Sequence, residues 1–340
     1  MDKMEVWEGE VVGLEVSAKE LVVAREGKKG VRSFANTPAG HGELIQTLTR
    51  GGQRVRVVME ATGLYGLDVA IALSDAEGIE VMVANPRAVR NFAKAMMQRS
   101  KSDRLDAVVL REFGAGMRFK RWTRPTANAL NLWALARRLE ALTHLNVAEK
   151  NRRHGAGVSA AIPASVRRSI ARSLRFQEKE IAELRREAMK CIQADGELHR
   201  QQQLLRSMPG IGEVSAIQLL AELVLLPPDR DVRQWVAYAG LDPREHSSGK
   251  LVRKHTRISK IGNGHLRRAL FMPALVACRF EPHLRGFYQH LLERGKAKRQ
   301  ALSAVARKML HAIYGMFRAN QRYDGARVYA LPPTIVAKFA

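Results

Sequence analysis

The spacing of apolar and polar positions changes character near residue 127. Before it, short runs dominate. Val11 to Val16 and Leu21 to Arg25 read as β-strands, and the polar Ser17-Ala18-Lys19-Glu20 between them predicts a hairpin. A third strand is expected near Val31 to Phe34, and a helix over Gly42 to Arg50. Val55 to Met59 reads as a buried strand, Leu64 to Leu73 as a helix after Ala61-Thr62-Gly63, and Ile79 to Ala84 as another strand. Pro86 then opens a helix at its favoured first-turn position, and a second helix begins near Asp103. A hairpin followed by alternating strands and helices predicts an α/β domain, a mixed sheet flanked by helices.

From Ala127 onward the strand signal disappears and an all-α region is expected. Leu132, Leu135, Leu139 and Leu142 keep heptad spacing, as do Ile170, Leu174, Ile181, Leu184, Ala188 and Cys191. Asn151 to Pro163, with Gly155 and Gly157, is expected to interrupt them. The pattern fits a long antiparallel helical pair or a coiled-coil dimer arm, and equally an ordinary helical core. Met208-Pro209-Gly210-Ile211-Gly212 precedes an apolar helix over Ser215 to Leu226. Such a turn resembles a helix-hairpin-helix, whose amides at Gly210 and Gly212 can hold a nucleic-acid phosphate, though helix turns also use glycine for steric reasons. Trp235 to Ala239 leads into a serine-containing turn. Beyond it, Leu266 to Cys278 and Ala301 to Phe317 read as packing helices, and Arg294 to Arg299 as a basic loop.

Charge sharpens this division. The 340 residues carry a net charge of +24, a length that suggests about two domains. Residues 1 to 125 hold 20 Lys and Arg against 16 Asp and Glu, whereas residues 126 to 340 hold 37 against 17. The second part therefore carries +20 of the +24, which points to a polyanionic partner. Two cysteines suit a reducing, cytoplasmic compartment rather than a disulfide framework. No apolar run is long enough for a membrane span, and the N-terminal residues lack an export-signal pattern.

The candidate chemistry lies in two places. Ser247, Ser248 and Gly249 form an expected turn, followed by Lys250, Arg253, Lys254, Arg257, Lys260, Arg267 and Arg268. This is a hydroxyl in phosphate-binding surroundings, and a serine hydroxyl needs an activator. Glu15 and Glu60 stand at the ends of predicted strands, and Asp103 and Asp106 are three apart on one helix face. Oxygen-only ligands of this kind suit Mg²⁺ or Mn²⁺, which can assist phosphoryl transfer. Taken singly each acid is explained as a solvated strand end or a helix cap; as an ordered set they read as a metal site.

These residues match a family pattern. Glu60-Ala61-Thr62-Gly63-x-Tyr65, Lys101-x-Asp103-Arg104-x-Asp106-Ala107, Pro209-Gly210-Ile211-Gly212, and Ser248-Gly249 with Ile258-Ser259-Lys260-x-Gly262-Asn263-x-x-Leu266-Arg267 resemble the DEDD insertion-sequence transposases related to the Piv invertase. The resemblance runs from Val11 to about Cys278. It implies a RuvC-like, RNase H-type domain over residues 1–125, a helical coiled-coil segment over 126–205 and a helical transposase domain over 206–340. It further implies Ser248 as nucleophile forming a phosphoserine, metal held by Glu15, Glu60, Asp103 and Asp106, donor and target DNA as substrates, a bridge RNA as guide, and a dimer or tetramer. Asn263 joins the basic residues as an implied nucleic-acid contact. Glu15 departs from the family, whose first carboxylate is an Asp. Two other classes remain open on the residues alone: a RuvC-type nuclease or junction resolvase that uses water, and a catalytically impaired nucleic-acid-binding relative.

Overall fold

The computed structural model describes residues 7, 9–27, 30–61, 63–98, 100, 102–248 and 252–331, with backbone only for 245–248 and 252–256. The chain divides into two units, Met1–Arg124 and Pro125–Ala340.

The first unit is built on a five-stranded sheet. Strands β1 (Glu10–Val16), β2 (Glu20–Ala24) and β3 (Val31–Ala35) form an antiparallel meander, and helix α1 (Pro38–Thr49) follows. Strand β4 (Val55–Glu60), a 3-10 turn at Gly63–Gly66, helix α2 (Leu67–Asp75), strand β5 (Ile79–Ala84), helix α3 (Pro86–Ala95) and helix α4 (Asp103–Gly116) complete it. The strand order is β3-β2-β1-β4-β5, with β1, β4 and β5 parallel. This mixed sheet with helices is compatible with an RNase H-like transposase domain. The predicted hairpin is present, closed where the Ser17 hydroxyl accepts from the Glu20 amide at 3.0 Å. Alternation along β1 sends Val12, Leu14 and Val16 into a core with Leu44, Leu48, Val69 and Leu73 of α1 and α2. Val11, Gly13 and Glu15 face the other way, toward the side where Val58, Met82, Leu110 and Phe113 pack with α4.

Gly13 lets α4 lie on the sheet. A β-carbon there would stand 1.9 Å from the Ala107 carbonyl oxygen and 2.5 Å from the Arg111 amide. Gly13→Ala therefore pushes backbone against backbone, and we expect it to destabilise the first unit by roughly 1–3 kcal/mol or more. Gly42→Ala, in open space within α1, is the contrast: it should stabilise by about 0.5–1 kcal/mol. Thermal unfolding of the two variants checks the sign of each.

The second unit opens on helices α5 (Ala127–Val158) and α6 (Ala164–Gln193). They run antiparallel, since Asn128 near the start of α5 hydrogen-bonds Asp195 just past α6 at 3.3 Å, while Lys150 pairs with Glu178 at 3.2 Å. The expected interruption over Asn151 to Pro163 shrinks to Ser159–Pro163. Gly155 and Gly157 are helical, because a glycine weakens a helix by about 1 kcal/mol without ending it, whereas Pro163 bounds the next one.

Helices α7 (Gly196–Ser207), α8 (Glu213–Leu223) and α9 (Val232–Ala239) follow, then strands β6 (Pro243–Ser248) and β7 (Val252–Ile258). Helices α10 (Gly264–Ala269), α11 (Phe271–Phe280), α12 (Pro282–Glu293), α13 (Lys298–Ala319) and α14 (Gly325–Val328) end the described chain. Two expectations fail here. The region is not all-α, for β6 and β7 pair as an antiparallel hairpin. The basic stretch Arg294 to Arg299 is a loop only to Ala297, since Lys298 and Arg299 begin α13. One core joins Leu132, Ala136 and Leu139 of α5 and Ala188 and Ile192 of α6 to α8, α9, α11 and α13. Among the described residues no helix is long and apolar enough to cross a membrane.

Candidate active site

Register and packing bring the four acidic residues to one end of the first unit. Leu14 pairs with Met59 in the parallel ladder, so the next residues, Glu15 and Glu60, occupy equivalent positions on one sheet face. Helix α4 crosses that face antiparallel to β1: its Gly114 packs on Val11 and Val58, and its Ala107 packs on Gly13. Its first turn, with Asp103 and Asp106, thus lies at the end of the sheet where Glu15 and Glu60 stand. Ser102, not Asp103, caps the helix, its hydroxyl accepting from the Leu105 amide at 3.3 Å. Asp103 is exposed and free of capping duty, while Glu15, Glu60 and Asp106 are half-buried. The positive end of the α4 dipole favours carboxylates at this place.

The donor set is oxygen-only, as Mg²⁺ requires. Among the described residues no three His, Cys, Asp or Glu side chains close into a ready-made cage. Mg²⁺ usually binds through one or two carboxylates, waters and substrate phosphates rather than in an all-protein cage, so a convergent but open set fits it. Thr62 and Lys101 of the expected motifs lie outside the described residues.

In the second unit, Ser248 is the last residue of β6 and pairs with Val252. The residues expected as a turn with Ser247 and Ser248 are therefore strand up to Ser248, and Gly249 and Lys250 lie outside the described residues. Across the ladder, Arg253 faces Ser247 and Lys254 faces His246 in register, with an irregularity between Arg244 and His246. Arg257 and Lys260 are exposed.

The base of this hairpin is tightly fastened. The Ser259 amide donates to the Asp242 carbonyl at 2.8 Å, the Lys260 amide to Gly240 at 3.1 Å and the Asn263 amide to Tyr238 at 2.6 Å. Gly240 and Gly262 have φ of +64° and +150°, and a β-carbon on Gly262 would meet the Tyr238 carbonyl at 2.2 Å. Asn263 works inward: its amide nitrogen donates to Glu222 at 2.5 Å and to the Tyr238 hydroxyl at 2.9 Å, and its oxygen caps α10. Glu222 is 4% exposed and also pairs with Arg137 at 3.1 Å. Burial pushes its carboxyl above the usual range, with the Asn263 hydrogen bond and Arg137 opposing. Burial likewise raises the Tyr238 hydroxyl.

Other expected phosphate contacts have internal partners. Arg267 donates to the Ala239 carbonyl at 2.7 Å, and Arg268 to Glu140 at 2.8 Å, a carboxylate that also binds His265. Gly210, at φ +96°, packs on the α11 backbone, 2.6 Å from the Pro273 carbonyl oxygen to where its β-carbon would lie. Gly212 is open at the N-cap of α8. Glu222, Tyr238, Glu140 and Arg137 were not expected from the sequence. The one available signal was an acid inside the apolar run Ala216 to Leu226, which implies a buried, partnered carboxylate.

A transposase family model of the DEDD IS110 type matches residues 12–156, the span that holds all four carboxylates. A second model, described as the transposase IS116/IS110/IS902 family, matches residues 202–289, from the glycine turn through the hairpin and α10. The chain belongs to this transposase family. It is accordingly a DNA transposase/recombinase. The transposase is 29% identical over 298 residues to the pilin gene-inverting proteins of Moraxella bovis and Moraxella lacunata, spanning 86% of this chain and 90% of each relative. It is also 31% identical over 144 residues to the 43.6 kDa insertion element IS110 protein of Streptomyces coelicolor, covering 42% of this chain and 35% of that one.

Proposed function

We propose that this transposase cuts and rejoins DNA through a covalent phosphoserine at Ser248. The single observation that carries the reading is the placement of Glu15, Glu60, Asp103 and Asp106 at one sheet end. In the first step the Ser248 hydroxyl oxygen bonds to a backbone phosphorus and one phosphorus–oxygen ester bond breaks. The serine proton passes to the departing oxygen, which leaves as a DNA hydroxyl. In the second step a hydroxyl of another strand attacks the phosphoserine and frees Ser248. One phosphodiester is lost and one regained, so no high-energy cofactor is consumed.

Mg²⁺ or Mn²⁺ held by the four carboxylates would supply charge neutralisation at the phosphate and a lowered proton affinity for the attacking hydroxyl. The chain's own residues do the rest. Arg257 and Lys260 bind the DNA backbone beside the hairpin, with Lys250, Arg253 and Lys254 assigned the same task. Gly212 offers the open amide end of α8 to a phosphate, with Gly210 setting the turn. Asn263, Arg267 and Arg268 hold the base of the serine hairpin in place. The likeness to a pilin gene-inverting protein supports site-specific strand exchange on donor and target DNA, and the family resemblance supports guidance by a bridge RNA and action as a dimer or tetramer in the cytoplasm.

The test is a denaturing gel of protein incubated with Mg²⁺, guide RNA and DNA: a protease-sensitive, covalently linked DNA species is expected. Cleavage without such a species would favour a water-using RuvC-type nuclease, and binding without cleavage an impaired relative.

The charge distribution gives a separate expectation. A fragment starting near Ala127 should retain most nucleic-acid affinity and lose it steeply with added salt, because +20 of the +24 lies after residue 125. Equal binding by residues 1–125 in a salt titration would count against it.

A further inference from the structure

The hairpin is not the only cationic feature of the second unit. Between Lys150 and Arg175 the chain carries seven Lys and Arg and no Asp or Glu. These residues form the distal end of the α5–α6 pair, past the part of both helices that enters the large core. Ile170 and Leu174 are buried there, so they mark the face of α6 that packs. At 100° per residue, Arg168, Arg172, Arg175 and Lys179 fall within a narrow row almost diametrically opposite that face. All four are exposed. Packing does not call for such a row, since any polar residue satisfies an outward position. Glu183, 4.0 Å from Lys179, is the first acid on it.

We infer that this row is a second docking surface, and that its partner is the phosphate backbone of duplex DNA, a reading that rests on the chain's action on DNA. The row spans about 16 Å along a rigid helix. That matches roughly five base-pair steps of ~3.4 Å along the duplex axis. Guanidinium groups suit phosphate oxygens by their planar paired donors, and a helix bearing them at i, i+4 and i+7 tracks a backbone without reading bases. Such a contact positions DNA at a distance from the serine hairpin and is independent of the sequence exchanged. Residues 167–175 also fall between the two segments matched by the family models, so the contact belongs to neither matched segment.

The experiment uses the full chain carrying R168Q, R172Q and R175Q, with glutamine chosen because it keeps helix propensity. Binding to a 40-base-pair duplex of arbitrary sequence is followed by anisotropy across a salt series. The slope of log affinity against log salt should become shallower by about 2–3, at ~0.9 per lost phosphate contact, and binding near 0.15 M salt should weaken roughly 10-fold or more. The lysine triple variant R168K, R172K, R175K should restore most of both. An unchanged slope, a loss confined to duplex RNA, or a loss that accompanies a changed oligomer size in sedimentation would each overturn the assignment. The covalent DNA species at saturating DNA reports on the serine chemistry and not on this surface, so failure of the serine mechanism and failure of this surface remain distinct.

Discussion

Ser248→Ala leaves no covalent protein–DNA species on a denaturing gel, while the wild type and Ser247→Ala both give one that protease removes. The size of the effect separates two chemistries. If water were the nucleophile, removing the Ser248 hydroxyl would cost at most a phosphate hydrogen bond, about 1 kcal/mol, or less than tenfold in rate. If the hydroxyl is the attacking atom, no alternative atom on alanine can take its place, and the loss is on the order of 10⁴ or more. Ser247 is the internal control. It neighbours Ser248 on β6 and pairs with Arg253 rather than with Val252 in the ladder. An adduct that persists in Ser248→Ala, or undiminished cleavage with no adduct at all, would replace the recombinase mechanism with hydrolysis.

Asp103→Asn and Asp106→Asn should each lower Mg²⁺-dependent strand exchange by at least about 10²-fold while leaving nucleic-acid binding and folding nearly intact. Asparagine keeps the shape and removes the charge. Ser102 holds the α4 cap in either variant, and the interaction of each carboxylate with the helix dipole, roughly 0.3–1 kcal/mol, is part of what the substitution removes. Full exchange activity in either variant would remove these aspartates from the metal site. Glu15→Asp is the complementary measurement. It restores the residue that the family pattern carries on β1 and shortens the reach by roughly 1 Å, a distance that matters to an ion with strict octahedral geometry. Activity equal to or above wild type is expected.

What the sequence revealed followed local rules. The strands of the first unit were legible as short apolar runs, because helices cover both faces of the sheet and consecutive residues such as Val57, Val58 and Met59 are buried together. The start of α3 was legible from Pro86, and Asn85 supplies the cap. The β6–β7 hairpin was not legible, because Arg244, His246, Lys254 and Arg257 carry no apolar alternation to announce a strand. The reach of α5 through Gly155 was misread for a related reason: a glycine penalty is local, and helix pairing overrides it. The acids themselves could be named in order, but not their placement at one end of the sheet. That depends on Gly13 and Gly114, whose missing side chains set how closely α4 lies on the sheet. The clamp of Glu222, Asn263 and Tyr238 joins residues 41 and 25 positions apart, which no local pattern encodes.

The division at Arg124 orders the protein in time as well as in space. Every strand and helix that carries a carboxylate of the site is complete by Gly116, and the first unit's core draws only on residues before Arg124. At synthesis rates of ~5–20 residues per second, the remaining 216 residues, Pro125–Ala340, take on the order of 10–40 s to emerge. A mixed α/β domain of this size folds in a small fraction of that time. The acidic end is thus assembled on the ribosome well before the serine it is proposed to serve has been translated.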